Sequence, residues 1–323
     1  MKRREEYKIV FMGTTQFAAS SLEMLVREGY HIVQVVTVPD KPAGRGLHHK
    51  QSEVKKYSLA NQLPLLQPDN LTDSTFIDQL MHLQADLFVV VAFRILPEIV
   101  WSIPPHGSLN LHASLLPNLR GAAPIHHAII RGLEITGVTT FLLNNSVDGG
   151  QVLLQEQIRI HPGETAGELH SRLLLLGKEL LVRTVDLIRE GKAKPFDQNC
   201  LQQPDTIVKA SKITREFCKI NWNLPSQEVL NLIHGLSPSP GAVATLTHPD
   251  KNDQPIKIYR AKSFASGFFC QPGSIILENN RQMLVQTHDG LVELIEIQPQ
   301  GKKVMYAANF LNGLQPKTGW YFV

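Results

Sequence analysis

Asn110 and His112 alternate with leucines in Gly107-Ser108-Leu109-Asn110-Leu111-His112-Ala113-Ser114-Leu115-Leu116-Pro117. Asn110 and His112 are two positions apart, which on a strand puts both side chains on one face. Polar groups on a buried sheet need partners. Asp148 follows in Val147-Asp148-Gly149-Gly150, a glycine-rich turn able to carry a carboxylate back towards strand ends. Asn, His and Asp together suit acyl transfer to an amine. The histidine can move a proton near neutral pH, the aspartate can fix its tautomer and charge, and the asparagine NH2 can donate to a developing oxyanion. No Ser or Cys stands in a GxSxG elbow. The amine is therefore expected to attack directly, without a covalent enzyme intermediate. The same residues also admit a reading without chemistry, the histidine as a satisfied core residue and Asp148 as a turn former.

The elements that must position them are legible. Tyr7-Lys8-Ile9-Val10-Phe11-Met12 reads as a buried parallel strand ending at Gly13. Residues 15–29 have helical spacing, with Phe17, Leu22, Leu25 and Val26 on one face and Gly29 closing the segment. Residues 31–38, 86–92 and 108–112 read as further strands. Glycines and prolines exclude regular structure from residues 39–46. Such alternation implies a Rossmann-like, doubly wound, mostly parallel α/β sheet, whose ligands lie beyond the carboxyl ends of the strands. Gly13, residues 93–96 and residues 110–117 belong to that rim. Residues 138–143 and 152–160 read as a strand pair around the turn at 144–150, and residues 164–189 as a long amphipathic helix.

A polar, proline-containing stretch then reads as a linker over residues 191–206, which separates a catalytic domain at 1–190 from a second domain at 207–323. The second part has one helix at 226–235 and short strands at 256–259, 273–277, 283–287 and 291–297, the pattern of a small, OB-like β-barrel. It carries 12 Lys and Arg against 8 Asp and Glu, whereas the rest of the chain is nearly neutral. That asymmetry permits a polyanionic partner and equally describes a solvated surface.

Several classes fall away. Gly13-Thr14-Thr15-Gln16-Phe17-Ala18 has one glycine where a dinucleotide fingerprint needs three, and no GxxxxGK[ST] loop is present. The adjacent pairs His48-His49 and His126-His127 lack acidic partners at ligand spacing, so no metal is expected. The three cysteines form neither a disulfide framework nor a CxxC site. The chain has 43% hydrophobic and 19% charged residues, which excludes collagen-like and disordered classes. No apolar run approaches the ~20 residues of a membrane span, and the charged start lacks the apolar core of a signal peptide. A cytoplasmic protein is expected.

Asn110-Leu111-His112-Ala113-Ser114-Leu115-Leu116-Pro117, followed by Arg120-Gly121-Ala122-Ala123-Pro124-Ile125, resembles the folate-dependent formyltransferases, and most closely the methionyl-tRNA formyltransferases among them. The likeness runs from Phe11-Met12-Gly13-Thr14 through Pro39-Asp40-Lys41-Pro42-Ala43-Gly44-Arg45-Gly46 to Ile220-Asn221-Trp222 and Gln298-Pro299-Gln300-Gly301-Lys302-Lys303. The resemblance implies formyl transfer from 10-formyltetrahydrofolate to the α-amino group of methionyl initiator tRNA. Asn110, His112 and Asp148 match the family's catalytic positions. Ser114, Leu115, Leu116 and Pro117 match its tetrahydrofolate-binding segment, and Phe93, Arg94 and Leu96 lie where the superfamily holds the pterin. Arg45 falls in the loop that inserts by the acceptor stem, and Lys212, Arg215, Lys302 and Lys303 fall where the C-terminal domain lines a tRNA groove. A monomer is expected, since tRNA would occupy much of the positive surface. The chain departs from the family's usual pattern in Gly149-Gly150-Gln151, where a more acidic turn is common, in Gly13-Thr14-Thr15-Gln16-Phe17, usually GTPDF, and in Val91-Ala92-Phe93-Arg94-Ile95-Leu96-Pro97, one residue shorter than VAYGLILP. The loop after Gly46 is also less basic than usual. The alternative is an N-formyltransferase for a small amine such as a sugar nucleotide or a purine precursor, which would need no basic second domain.

Overall fold

The computed structural model describes residues 2–43, 48–201, 207–264, 270–279, 281–314 and 318–323. They fall into two compact units, one of residues 1–121, 137–158 and 172–209, the other of residues 122–136, 159–171 and 210–323.

The first unit is built on a seven-stranded sheet. From one edge to the other its strands are Val152–Arg159, Ile135–Leu142, Ser108–His112, Leu87–Val91, Lys8–Gly13, His31–Val36 and Leu65–Leu66. Pairings from Ser108–His112 to Leu65–Leu66 are parallel, while Ile135–Leu142 runs antiparallel to Ser108–His112. The expected mostly parallel sheet is thus observed. Ile9, Val10, Phe11 and Met12 and the whole of Leu87–Val91 are buried, as strands covered by helices on both faces must be. One layer of this core joins Val10, Met12, Phe88 and Val90 to Phe76, Ile77 and Leu80 of the helix Ser74–His82. The chain leaves Lys8–Gly13 towards one edge and returns at Leu87–Val91 on the other side, so strand order reverses between these two. At their carboxyl ends Gly13 is level with Val91, and Val91 with Leu111. A crevice opens at such a reversal. Gly13 is needed there because a Cβ would lie 2.6 Å from the Ala18 Cβ and 2.9 Å from the Val91 carbonyl oxygen.

One expectation is corrected. The glycines and prolines of residues 39–46 predict no regular structure, yet Lys41–Ala43 pairs antiparallel with His48–Lys50. A two-stranded ribbon has a free edge on each strand, so the missing N–H of Pro42 need not interrupt a ladder. Residues 44–47, Arg45 among them, lie outside the described residues.

The second unit is a nearly closed antiparallel barrel. Its strands run in the order Ile275–Glu278, Gln282–Gln286, Leu291–Pro299, Lys251–Phe264, Ala242–His248 and Tyr321–Phe322, with Met305–Tyr306 added to Leu291–Pro299. A bridge between Ser274 and Tyr321 brings the two ends together. Ala242–His248 alternates strictly between buried and half-buried positions, the period of a barrel wall. Leu246, Ile256, Ile258, Val285, Val292 and Ile297 fill the interior with Ile233 of the helix Ser226–Gly235. Against that helix lies Pro124–Ile130, where a Cβ on Gly235 would come within 2.4 Å of Ile130 Cγ1.

Candidate active site

Ser108–His112 is a strand of five residues that delivers Asn110 and His112 to the crevice end of the sheet. His112 is 7% exposed. Its Nε2 lies 3.0 Å from the carbonyl oxygen of Leu119. A carbonyl only accepts, so Nε2 carries the proton and donates, which leaves Nδ1 as the free lone pair of the neutral ring. Nδ1 faces Asp148 Oδ2 at 3.9 Å. The ring is therefore held in the tautomer whose basic nitrogen points at a carboxylate. Asn110 and Asp148 line one cleft, together with Phe93, Arg94, Ile95, Leu96, Trp101 and residues 143–147. Asp148 links the other two: it shares that cleft with Asn110 and faces His112, which is buried and is not among the residues lining the cleft.

Asp148 is placed by a tight turn. The Gly121 N–H donates to its Oδ2 at 2.9 Å. A Cβ on Gly150 would sit 1.7 Å from the Leu142 carbonyl oxygen, so only glycine lets the turn close on the strand before it. Gly150→Ala is expected to lower stability by about 1–3 kcal/mol through this overpacking, read from a denaturant titration; an unchanged midpoint would show that the turn has room. Asp148 itself has φ +50°, with Leu119 at +58° and Ala92 at +46°. These are three of the six non-glycine residues with positive φ among the described residues, and all three adjoin the crevice or the histidine. Concentrated backbone strain of this kind persists where surrounding contacts over-determine it.

The profile of the formyl transferase family matches residues 7–185, and that of the formyl transferase C-terminal domain matches residues 212–315. Methionyl-tRNA formyltransferase of Bacteroides fragilis is 43% identical over 311 residues, covering 96% of each chain. That of Porphyromonas gingivalis is 44% identical over 324 residues, covering 99% of each. The chain belongs to the methionyl-tRNA formyltransferase family. The resemblance read from the NxH and SLLP segments is thereby borne out. Among solved structures, the N-formyltransferase from Helicobacter canadensis, in complex with folinic acid and dTDP-3-aminofucose, shares the fold with a TM-score of 0.64 at 20% identity, over 89% of this chain and 98% of that one. HypX from Aquifex aeolicus in complex with tetrahydrofolic acid does so with a TM-score of 0.62 at 16% identity, over 94% of this chain and 46% of that one.

In this formyltransferase the other expected site residues divide. Phe93, Arg94 and Leu96 line the cleft beside Asn110. Arg94 is hooked onto the chain, its Nη1 and Nη2 donating to the carbonyl oxygens of Asp69 and Pro68 at 2.9 and 2.7 Å. Its guanidinium lies 5.3 Å from the Phe93 ring centroid, and burial lowers its pKa. Ser114, Leu115, Leu116 and Pro117 are not among the residues lining that cleft. Ser114 is fully buried, its hydroxyl donating to the Asn118 carbonyl oxygen, and Leu116 packs with Phe141 and Val152. All four belong to the loop that leads the chain from His112 to Leu119 and Gly121. In the second unit Lys212, Arg215, Lys302 and Lys303 are all exposed.

Sequence patterns do not single out Gln198, which lies in the stretch that reads as a linker. Gln198 is 2% exposed and reaches the Asp148 turn, donating to the carbonyl oxygens of Asp148 and Gly150. A polar residue amid prolines and other polar residues gives no pattern that separates a buried amide from a solvated one. Of the paired histidines, His127 is buried and contacts the Ser211 carbonyl oxygen, a packing role. Among the described residues no group of three His, Cys, Asp or Glu could hold a metal ion.

Proposed function

We propose that this formyltransferase moves the formyl group of 10-formyltetrahydrofolate to the α-amino group of methionyl initiator tRNA. The observation that carries the reading is 43–44% identity to methionyl-tRNA formyltransferases over nearly the whole chain, barrel included. The cleft fits the donor chemically, since Phe93, Ile95, Leu96 and Trp101 offer an apolar wall for a flat heteroaromatic ring and Asn110 and Asp148 a polar end for its reacting group. The folate supplies an activated formyl carbon. The chain's residues do the rest. The Asn110 side-chain NH2 donates to the formyl oxygen as it becomes an oxyanion. The His112 ring takes the proton that the attacking amine releases and passes it towards the departing folate nitrogen. Asp148, facing Nδ1, stabilises the imidazolium formed in between. The C–N bond to methionine forms first, giving a tetrahedral adduct, and the C–N bond to the folate breaks as that adduct collapses, so no enzyme-bound acyl group is needed.

In this reading residues 1–190 carry the chemistry, and residues 207–323, joined through 191–206, hold tRNA by Lys212, Arg215, Lys302 and Lys303, with Arg45 near the acceptor end. The reading carries with it a monomeric, cytoplasmic enzyme, its mass checked by analytical ultracentrifugation. Among the described residues no helix is long and apolar enough to cross a membrane. Purified protein given 10-formyltetrahydrofolate is expected to formylate methionyl initiator tRNA and to leave uncharged tRNA unmodified. Lys302→Glu with Lys303→Glu should weaken tRNA binding and flatten its salt dependence by roughly one unit of log–log slope for each phosphate no longer neutralised. Filter binding at several salt concentrations reads this, and an unchanged slope would remove these lysines from the interface.

A further inference from the structure

We propose that Gln198 is a positioning residue for the transfer reaction, acting through Asp148. The inference rests on the reading of Asp148 as part of the catalytic set. Gln198 Oε1 accepts from Arg120 Nε at 3.1 Å and from Arg120 Nη2 at 2.6 Å. Its Nε2 donates to the Asp148 carbonyl oxygen at 2.9 Å and to the Gly150 carbonyl oxygen at 2.8 Å. The amide has only one workable orientation, because a flip would set its NH2 against the arginine donors and its oxygen against two carbonyls. All four of its hydrogen-bonding positions are used, and both donors go to the backbone on either side of Gly149.

The segment that carries Gln198 is itself pinned. Phe196 and Val152 exchange both backbone hydrogen bonds at 2.9 Å, and Phe196 and Leu201 pack on the cluster of Leu116, Phe141 and Val152. The amide thus stands on a fixed base and clamps a turn whose Asp148 is held at φ +50°. Arg120 at the far side of the amide precedes Gly121, whose N–H donates to Asp148 Oδ2. One short stretch of chain therefore grips the carboxylate directly and its backbone through Gln198. Without the two donors the turn can relax, and the carboxylate can leave its station 3.9 Å from His112 Nδ1.

The test compares Gln198→Glu, Gln198→Ala and Asp148→Asn in the full chain, with rates normalised to the folded fraction seen by circular dichroism. Gln198→Glu keeps the length and the Arg120 partner but replaces Nε2, the source of both donors, with an oxygen facing two carbonyls. Displacing a reacting group by about 1 Å is worth roughly 10²-fold in rate, so both Gln198 variants are expected to lose on the order of 10²-fold in kcat per folded molecule. KM for folate and for tRNA should stay within about twofold, as for a group acting only in the transition state. If the Gln198 variants merely reduce the amount of folded enzyme and keep wild-type kcat while Asp148→Asn is inactive, Gln198 is structural and the inference is overturned. If Asp148→Asn is itself near wild type, the reading of Asp148 fails and takes the inference with it.

Discussion

His112→Ala is expected to lower kcat by about 10²–10⁴-fold, the range for loss of a positioned general acid–base group, with little change in the binding of either substrate. The attacking amine must lose a proton as the tetrahedral adduct collapses, and His112 Nδ1 is the basic nitrogen that the Leu119 carbonyl leaves free. The variant also strands that carbonyl, which costs about 1–3 kcal/mol of stability. His112→Gln is therefore the cleaner partner experiment, because a side-chain NH2 can replace the donor to Leu119 without supplying a base. Single-turnover formyl transfer on both variants separates chemistry from binding. A loss confined to stability, with turnover per folded molecule intact, would make His112 a satisfied core residue and nothing more.

Asp148→Asn is expected to reduce kcat by roughly 10²–10⁴-fold, the scale on which a carboxylate that orients and charge-balances a histidine matters. The change is isosteric. The amide oxygen can still accept from the Gly121 N–H, so the turn keeps that bond. What disappears is the negative charge facing His112 Nδ1 at 3.9 Å; the oxygen kept on Gly121 is the one that faces the ring, so a neutral amide oxygen then stands where the imidazolium needs a carboxylate. The two single losses should combine to much less than their product, since residues acting as a unit are strongly non-additive. A double variant measured beside the singles reads this. Full multiplicativity would mean that Asp148 and His112 work independently.

Much of the centre is legible in the sequence because its signals are local. A strand at residues 108–112 follows from alternation alone, and the structure shows Ser108–His112 as that strand. The buried runs around Phe11 and Val89 identify the parallel core, since a strand covered on both faces has no polar side. The turn at Asp148 announces itself by two following glycines, and the Gly150 packing against Leu142 explains why a second one is needed. Other features are not readable in this way. Leu65–Leu66 spans two residues, too short for any periodicity to register. The positive φ of Leu119 and Ala92 is imposed by tertiary contacts on residues with no preference for it. Gln198 is 50 residues from Asp148 in sequence, and nothing in its neighbourhood marks an amide whose partners lie at that distance. Likewise the motif does not reveal that the Ser114 and Leu116 side chains are buried.

The most direct measurement gives the purified protein 10-formyltetrahydrofolate with methionyl initiator tRNA, free methionine and a panel of small amines in parallel. Rapid formylation of the charged tRNA is expected, and none of free methionine or the small amines. Transfer to a small amine, with the charged tRNA inert, would keep the fold and the Asn110, His112 and Asp148 centre but contradict the assignment of the acceptor.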